Sequence, residues 1–128
     1  MQVLAARLTG IEIDGCRFKV PGFPDEVWRN LIIGDYEAPE RRSIKQYLDP
    51  KSPLVELGGC LGVVACIADR LLEHPQKHIV VEASPQFVPV IRANAIRNKC
   101  ELTIVNAALA YGCDNMTFYI SAVPLKVE

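Results

Sequence analysis

Between residues 52 and 107 three short apolar runs, SPLVEL, HIVVEA and ELTIVNA, are separated by two longer amphipathic stretches. That alternation is the feature that most restricts the fold, because strand–helix–strand order places strands in parallel and needs a helical crossover between each pair. The first crossover opens on Gly58-Gly59-Cys60-Leu61-Gly62. Its helix, near 61–73, carries Val64, Ile67, Ala68 and Leu71 at helical spacing. The second crossover begins at Ser84-Pro85, where serine can cap and proline fits a first turn; Pro89 then argues for a later or irregular start, with an end near Asn98. The strands are expected near 53–57, 78–83 and 101–107. HIVVEA is nearly all apolar, as expected of a parallel strand covered on both faces. Right-handed crossovers would place the three in the order 3-2-1. The expected fold class is therefore α/β, a partial doubly wound (Rossmann-like) parallel sheet.

Upstream, IEIDGCRFKV alternates about Asp14-Gly15, a dipeptide suited to a tight turn, and predicts a β-hairpin with strands near 11–13 and 16–20. PDEVWRNLII predicts a short helix ending at Gly34, and Ile44, Tyr47 and Leu48 share a face of a second helix that stops before Pro50. YGCDNMTFYI predicts a turn leading into a strand near 116–121. We read residues 1–128 as one domain, with 1–50 as hairpin and lead-in helices and 51–121 as a ligand-binding half.

A formal charge of −1 with no basic run gives no footprint for nucleic acid. No apolar stretch reaches the roughly 18 residues of a membrane span, and MQVLAARLTG lacks the apolar region of a secretion signal. A cytoplasmic protein is the expectation. Five cysteines without Cys-x-x-Cys spacing predict reduced thiols, with no metal site and no disulfide framework.

In parallel α/β sheets ligands gather outside the carboxyl ends of the strands. Gly58 to Gly62 can bring backbone N–H groups there, at the start of a helix. Glu82 ends the second strand, where a carboxylate can accept both hydroxyls of an adenosine ribose, and Asn106-Ala107 end the third, where an amide can read an adenine edge. Each has a plainer reading: a tight turn, a solvated strand end, a turn cap. Their convergence on three successive strand ends favours a ligand. The dinucleotide fingerprint G-x-G-x-x-G and the phosphate-binding Gly-Lys-Ser/Thr are both absent, which disfavours a dinucleotide. Glu56 sits two residues before Gly58, and its charge would repel phosphate but suit a sulfonium or ammonium group. S-adenosylmethionine has that chemistry.

Taken in order, VELGGCLG, HIVVEASPQFVPVIRANAIRN, NAAL and MTFYI resemble the first half of the FkbM family of class I S-adenosylmethionine-dependent methyltransferases. Glu56, Gly58 and Gly62 match its D/E-x-G-x-x-x-G; Glu82 and Pro85 match its acidic turn; Ile91, Asn94 and Asn98 match its helix; Asn106 to Leu109 and Phe118-Tyr119 match the remainder. GDYEAPE resembles the family's lead-in, which implies that Tyr36 and Glu37 lie near the cofactor, Glu37 at its amino group. The resemblance spans roughly residues 30–121 and implies a cofactor site of Tyr36, Glu37, Glu56, Gly58, Gly59, Cys60, Gly62, Glu82, Ala83, Asn106 and Ala107. Two departures stand out: Cys60 replaces the usual asparagine, and Ala83-Ser84 replaces Pro-Asn.

The resemblance also implies O-methylation of a hydroxyl on a small molecule or sugar. Such a step is an in-line displacement that depends on alignment and, for a hydroxyl, on a base that the sequence does not identify. His74 and His78 enter the second strand from the end opposite the expected ligand and are poor candidates. The chain stops at Glu128, where the family's fourth and fifth parallel strands begin, so a truncated, non-catalytic S-adenosylmethionine-binding or protein-interaction module is the alternative. The outer edge of the first strand then needs a cover: the hairpin, residues 116–121, or a second copy in a homodimer or other homo-oligomer.

Overall fold

In a computed structural model that describes residues 1–120, the chain is a mixed α/β fold with a two-stranded antiparallel hairpin and a three-stranded parallel sheet. The elements run α1 (Gln2–Thr9), β1 (Ile11–Ile13), β2 (Cys16–Phe18), α2 (Asp25–Ile33), α3 (Ala38–Tyr47), β3 (Leu54–Leu57), α4 (Val63–Leu71), β4 (His78–Glu82), α5 (Val88–Arg97) and β5 (Thr103–Asn106). A 3-10 turn at Pro75–Lys77 precedes β4. The parallel strands pair in the order β3-β4-β5. Their register sets Leu54 beside His78, Glu56 beside Val80, and Glu82 beside Asn106.

The hairpin forms on Asp14-Gly15, both at positive φ, as the turn chemistry requires. Ile11, Ile13, Cys16 and Phe18 all point into the core. They pack against Val27, Trp28 and Leu31 of α2 and against Val63, Cys66 and Ile67 of α4. The opposite side of α4 gives Ala65 to a second cluster with Val80 of β4 and Ile91 of α5. Packed on both sides, α4 is buried from Val63 through Asp69, which is why its sequence is apolar nearly all round.

Asn94 and Asn98, one turn apart on α5, bind the hairpin. Asn94 Oδ1 accepts the Lys19 N–H at 3.0 Å, and Asn98 accepts the Arg17 N–H at 2.7 Å and donates to the Arg17 carbonyl at 2.9 Å. The two amides act in place of a neighbouring strand, so β2 keeps no bare edge there. Arg41 ties α3 to the hairpin turn through Asp14 at 2.9 Å.

Four expectations need correction. The second crossover helix does not begin at Ser84-Pro85 but at Val88, the later start that Pro89 argues for, with Pro89 in its first turn where it costs no hydrogen bond; Ser84 forms a turn that bonds Glu82 rather than a helix cap. Residues 116–120 form no strand and are exposed, and position 121 lies outside the described residues. The strand at 78–82 is covered on one face: His78, Val80 and Glu82 are buried while Ile79 is exposed. Val55, Leu57 and Val105 join Ile79 on that open face. Lastly, neither the hairpin nor residues 116–120 pair with β3, whose outer edge has no strand partner among the described residues.

No helix among the described residues is long and apolar enough to cross a membrane.

Candidate functional site

The carboxyl ends of β3, β4 and β5 carry three loops, and Glu82 joins them. It is 7% exposed. Its Oε2 accepts the Cys60 N–H at 2.9 Å and its Oε1 accepts the Ser84 N–H at 2.8 Å, so one carboxylate fastens the glycine loop to the turn after β4. Beside it in register, Asn106 donates through Nδ2 to the carbonyls of Glu82 (2.8 Å) and Ala83 (3.2 Å). A second lone pair on each Glu82 oxygen, and the Asn106 Oδ1, are the acceptors these bonds leave.

The glycine loop is built on left-handed backbone at Gly58, Cys60 and Gly62, with φ of 88°, 48° and 79°. Gly59 is required for space instead: a Cβ there would lie 2.5 Å from Val80 Cγ1 and 2.8 Å from Ile91 Cδ1. The expectation that the loop's N–H groups face a ligand is corrected in part. Gly58 donates to Val81, Gly62 to Gly59 and Cys60 to Glu82, because closing so tight a turn uses those donors internally.

The lead-in segment reaches this loop. The Tyr36 hydroxyl donates to Cys60 Sγ at 3.1 Å, and burial raises the phenol well above its ordinary pKa and pushes the Cys60 thiol up. Glu37 precedes α3 at a φ of 48°, an uncommon conformation for this residue type. Arg41 holds it there by donating to the Tyr36 and Gly34 carbonyls. Burial, and next the charge of Glu56, push the Glu37 carboxyl up to about 7, and its Oε2 is buried without a partner among the described residues.

Glu56 is not aimed at solvent beyond the strand end. Its Oε2 lies 3.6 Å from Nε2 of His78, which is 0% exposed, and His78 Nδ1 lies 3.4 Å from Asp69 Oδ1. Burial disfavours the imidazolium, but the bond to Asp69 and then Glu56 raise it to about 9. Sequence reasoning set His78 aside because it begins its strand. Its partners sit on β3 and α4, and only the register of Leu54 with His78 brings Glu56 onto the same face.

A cavity of about 430 Å³ opens beside these loops, within the usual ~300–1,000 Å³ of small-molecule sites. Ala83, Asn106 and Ala107 line it, and the irregular segment after β5 supplies Ala108, Ala110, Cys113, Asp114, Asn115, Met116 and Phe118. In the sequence that wall showed as turn-rich YGCDN and, through the resemblance, as Asn106 to Leu109 and Phe118-Tyr119. The structure therefore brings the candidates together in two groups. Ala83, Asn106 and Ala107 face the cavity, while Tyr36, Glu37, Glu56, Cys60 and Glu82 form a half-buried polar cluster under the glycine loop. Among the described residues no group of three or more side chains is arranged to hold a metal ion. Searches with the sequence found no matching family model and no matching curated protein.

Proposed function

We propose that the carboxyl end of the β3-β4-β5 sheet binds S-adenosylmethionine and that the chain is an FkbM-type methyltransferase of Rossmann-like architecture, acting in the cytoplasm on a hydroxyl of a small molecule or sugar. The observation that carries this reading is the meeting of Glu82 with the glycine loop and Asn106 at three successive strand ends, with Tyr36 and Glu37 delivered to the same loop. A ribose would meet the remaining lone pairs of Glu82, and an adenine amino group the Oδ1 of Asn106. The cationic end would meet Glu37, whose Oε2 is buried without a hydrogen-bond partner among the described residues, and Glu56, whose Oε2 faces His78 Nε2 at 3.6 Å. Calorimetry with S-adenosylmethionine, its demethylated product and NAD tests the reading. Binding of the first two but not NAD, lost in Glu82→Ala, is the expected result; no binding of either at millimolar concentration overturns it. Methyl release to hydroxyl acceptors then separates an enzyme from a binding module.

A non-catalytic interaction module is the second reading. It is favoured by the open sheet face, where Val55 and Leu57 of β3 are 60% and 58% exposed on a strand whose outer edge has no partner among the described residues. On either reading we propose that copies of the chain associate along that edge, since Val55 and Leu57 leave the exposed face of β3 apolar and an apolar strand edge left open invites pairing.

A further inference from the structure

Three of the five cysteines, Cys16, Cys66 and Cys100, meet in one cluster outside the proposed ligand site. Local structure brings Cys100 there. At the end of α5, Asn98 is the cap and Lys99 takes left-handed backbone at a φ of 57°. The Lys99 and Cys100 N–H groups turn back to the carbonyls of Ile96 (3.1 Å) and Ala95 (2.9 Å), a pair of bonds that closes the helix. The chain then lands on α4. Cys100 Sγ lies 4.0 Å from the Cys66 carbonyl oxygen, and the Glu101 N–H bonds Asp69 Oδ2 at 3.1 Å. Cys66 and Asp69 stand three residues apart on one side of α4, so residues 100 and 101 are both held against the same helix face. The two thiols differ in access: Cys66 is 0% exposed, whereas Cys100 is half-buried.

We propose that Cys66 and Cys100 are a reversible oxidation site, at which Cys100 reacts with hydrogen peroxide and Cys66 completes an intramolecular disulfide. Such a bond needs its two residues in direct contact, with Cβ atoms about 4 Å apart. Both are free thiols in the structure, and the fold already sets the Cys100 thiol against Cys66. In the first step the Cys100 sulfur attacks one peroxide oxygen. The S–O bond forms as the O–O bond breaks, and the thiol proton leaves with the departing hydroxide as water. The Cys66 sulfur then attacks the Cys100 sulfur. The S–S bond forms as the S–O bond breaks, and the Cys66 proton leaves with that hydroxide as a second water. Two thiols give up two electrons, and one peroxide becomes two waters. Contact with Cys100, and next burial, push the Cys66 thiol up, which makes it a poor first nucleophile and suits it to the second step. Cys16 is 0% exposed and its thiol is raised by burial, so it offers no other entry. The bond would lie one turn along α4 from the glycine loop, since Cys66 donates its N–H to the Gly62 carbonyl at 3.0 Å. Neither Cys66 nor Cys100 belongs to the proposed ligand site, so the pair reacts whatever the sheet binds.

Hydrogen peroxide is the probe, applied to the full reduced chain carrying Cys113→Ser, because the exposed Cys113 reacts on its own account. After quenching, the remaining thiols are alkylated and the chain is digested. Fragment-ion mass spectrometry should find Cys66 bonded to Cys100 within one chain, at a mass lower by two hydrogen atoms, with Cys16 alkylated. Reduced glutathione should restore both thiols. In Cys66→Ala the reaction should stop at the Cys100 sulfenic acid, which dimedone traps, and in Cys100→Ser the Cys66 thiol should stay reduced. A bond from Cys100 to Cys16, a Cys100 sulfinic acid beside a free Cys66, or an unreacted Cys100 would each overturn the proposal. The chain carrying only Cys113→Ser decides between these outcomes if Cys66→Ala does not fold. In concentrated urea, where sequence distance alone selects partners, Cys60–Cys66 should replace the native pair. A Cys66–Cys100 bond that dominates there as well would show that the fold does not direct it, and would overturn the proposal too.

Discussion

Replacing Asn94 by alanine should cost about 3–4 kcal/mol of stability. Asn94 is fully buried, accepts the Lys19 N–H at 3.0 Å and donates to the Leu61 carbonyl at 2.9 Å. Alanine leaves both backbone groups without a partner, at about 1–3 kcal/mol each, and opens a small void. The sum is a large share of the ~5–15 kcal/mol that holds a typical domain, and corresponds to a fall in Tm of about 10 °C for a chain of this size. Asn98→Ala is the internal control. Its bonds to Arg17 lie at the exposed end of the same helix, where water can replace them, so about 1 kcal/mol is expected. Urea unfolding of both variants gives the comparison, with the m-value unchanged if the native and unfolded states keep their extent. A loss below about 1 kcal/mol for Asn94→Ala, or equal losses for the two, would refute the argument that the buried amide is what fastens the hairpin to α5.

Gly59→Ala should destabilise by about 1–3 kcal/mol through overpacking against Val80 and Ile91, whereas an added methyl would be tolerated if Gly59 served only the turn; thermal unfolding decides. Stability should fall as pH rises from about 5 to 9. The Glu37 carboxyl is raised from 4.5 to about 7, so the folded state favours its neutral form and loses that advantage across this window; His78 is raised from 6.5 to about 9, and the stability it adds is present below 6.5 and lost by about 9. Together, after discounting Glu37 for its exposure, they amount to roughly 2–4 kcal/mol, and a flat urea midpoint across that range would count against both assignments. Light scattering at micromolar concentration should give a mass above that of one chain, and Val55→Lys, on the exposed face of β3, should reduce it; a monomeric wild type removes the association proposal.

Much of the architecture is local and was legible. Alternating apolar runs placed β3, β4 and β5, Asp14-Gly15 placed the hairpin turn, and Gly34, at a φ of 79°, ended α2 as its sequence position implied. Pro89 correctly signalled a late helix start. The helix α1 left little trace because it buries only Ala6, so no apolar stripe marks it. MTFYI has strand composition, yet residues 116–120 find no neighbouring strand among the described residues, and composition cannot supply one. In the site, Gly58, Glu82 and Asn106 were legible because strand ends are predictable from strands. The His78–Glu56 and His78–Asp69 contacts were not, since they depend on the register of β3 with β4 and the packing of α4. Asn94 and Asn98 were visible only as a spaced pair, and their work in bonding the hairpin needs a partner about 80 residues away.

The central claim is that one ligand, S-adenosylmethionine, sits where the ends of β3, β4 and β5 meet. Amide chemical-shift mapping of the full chain tests it most directly, because it reports both binding and place. Added S-adenosylmethionine should move the amides of Cys60, Ser84, Asn106 and Ala107 together, saturably, and leave the α1–α2 face unchanged. No movement at millimolar ligand, or movement confined to residues away from these three strand ends, would contradict the account.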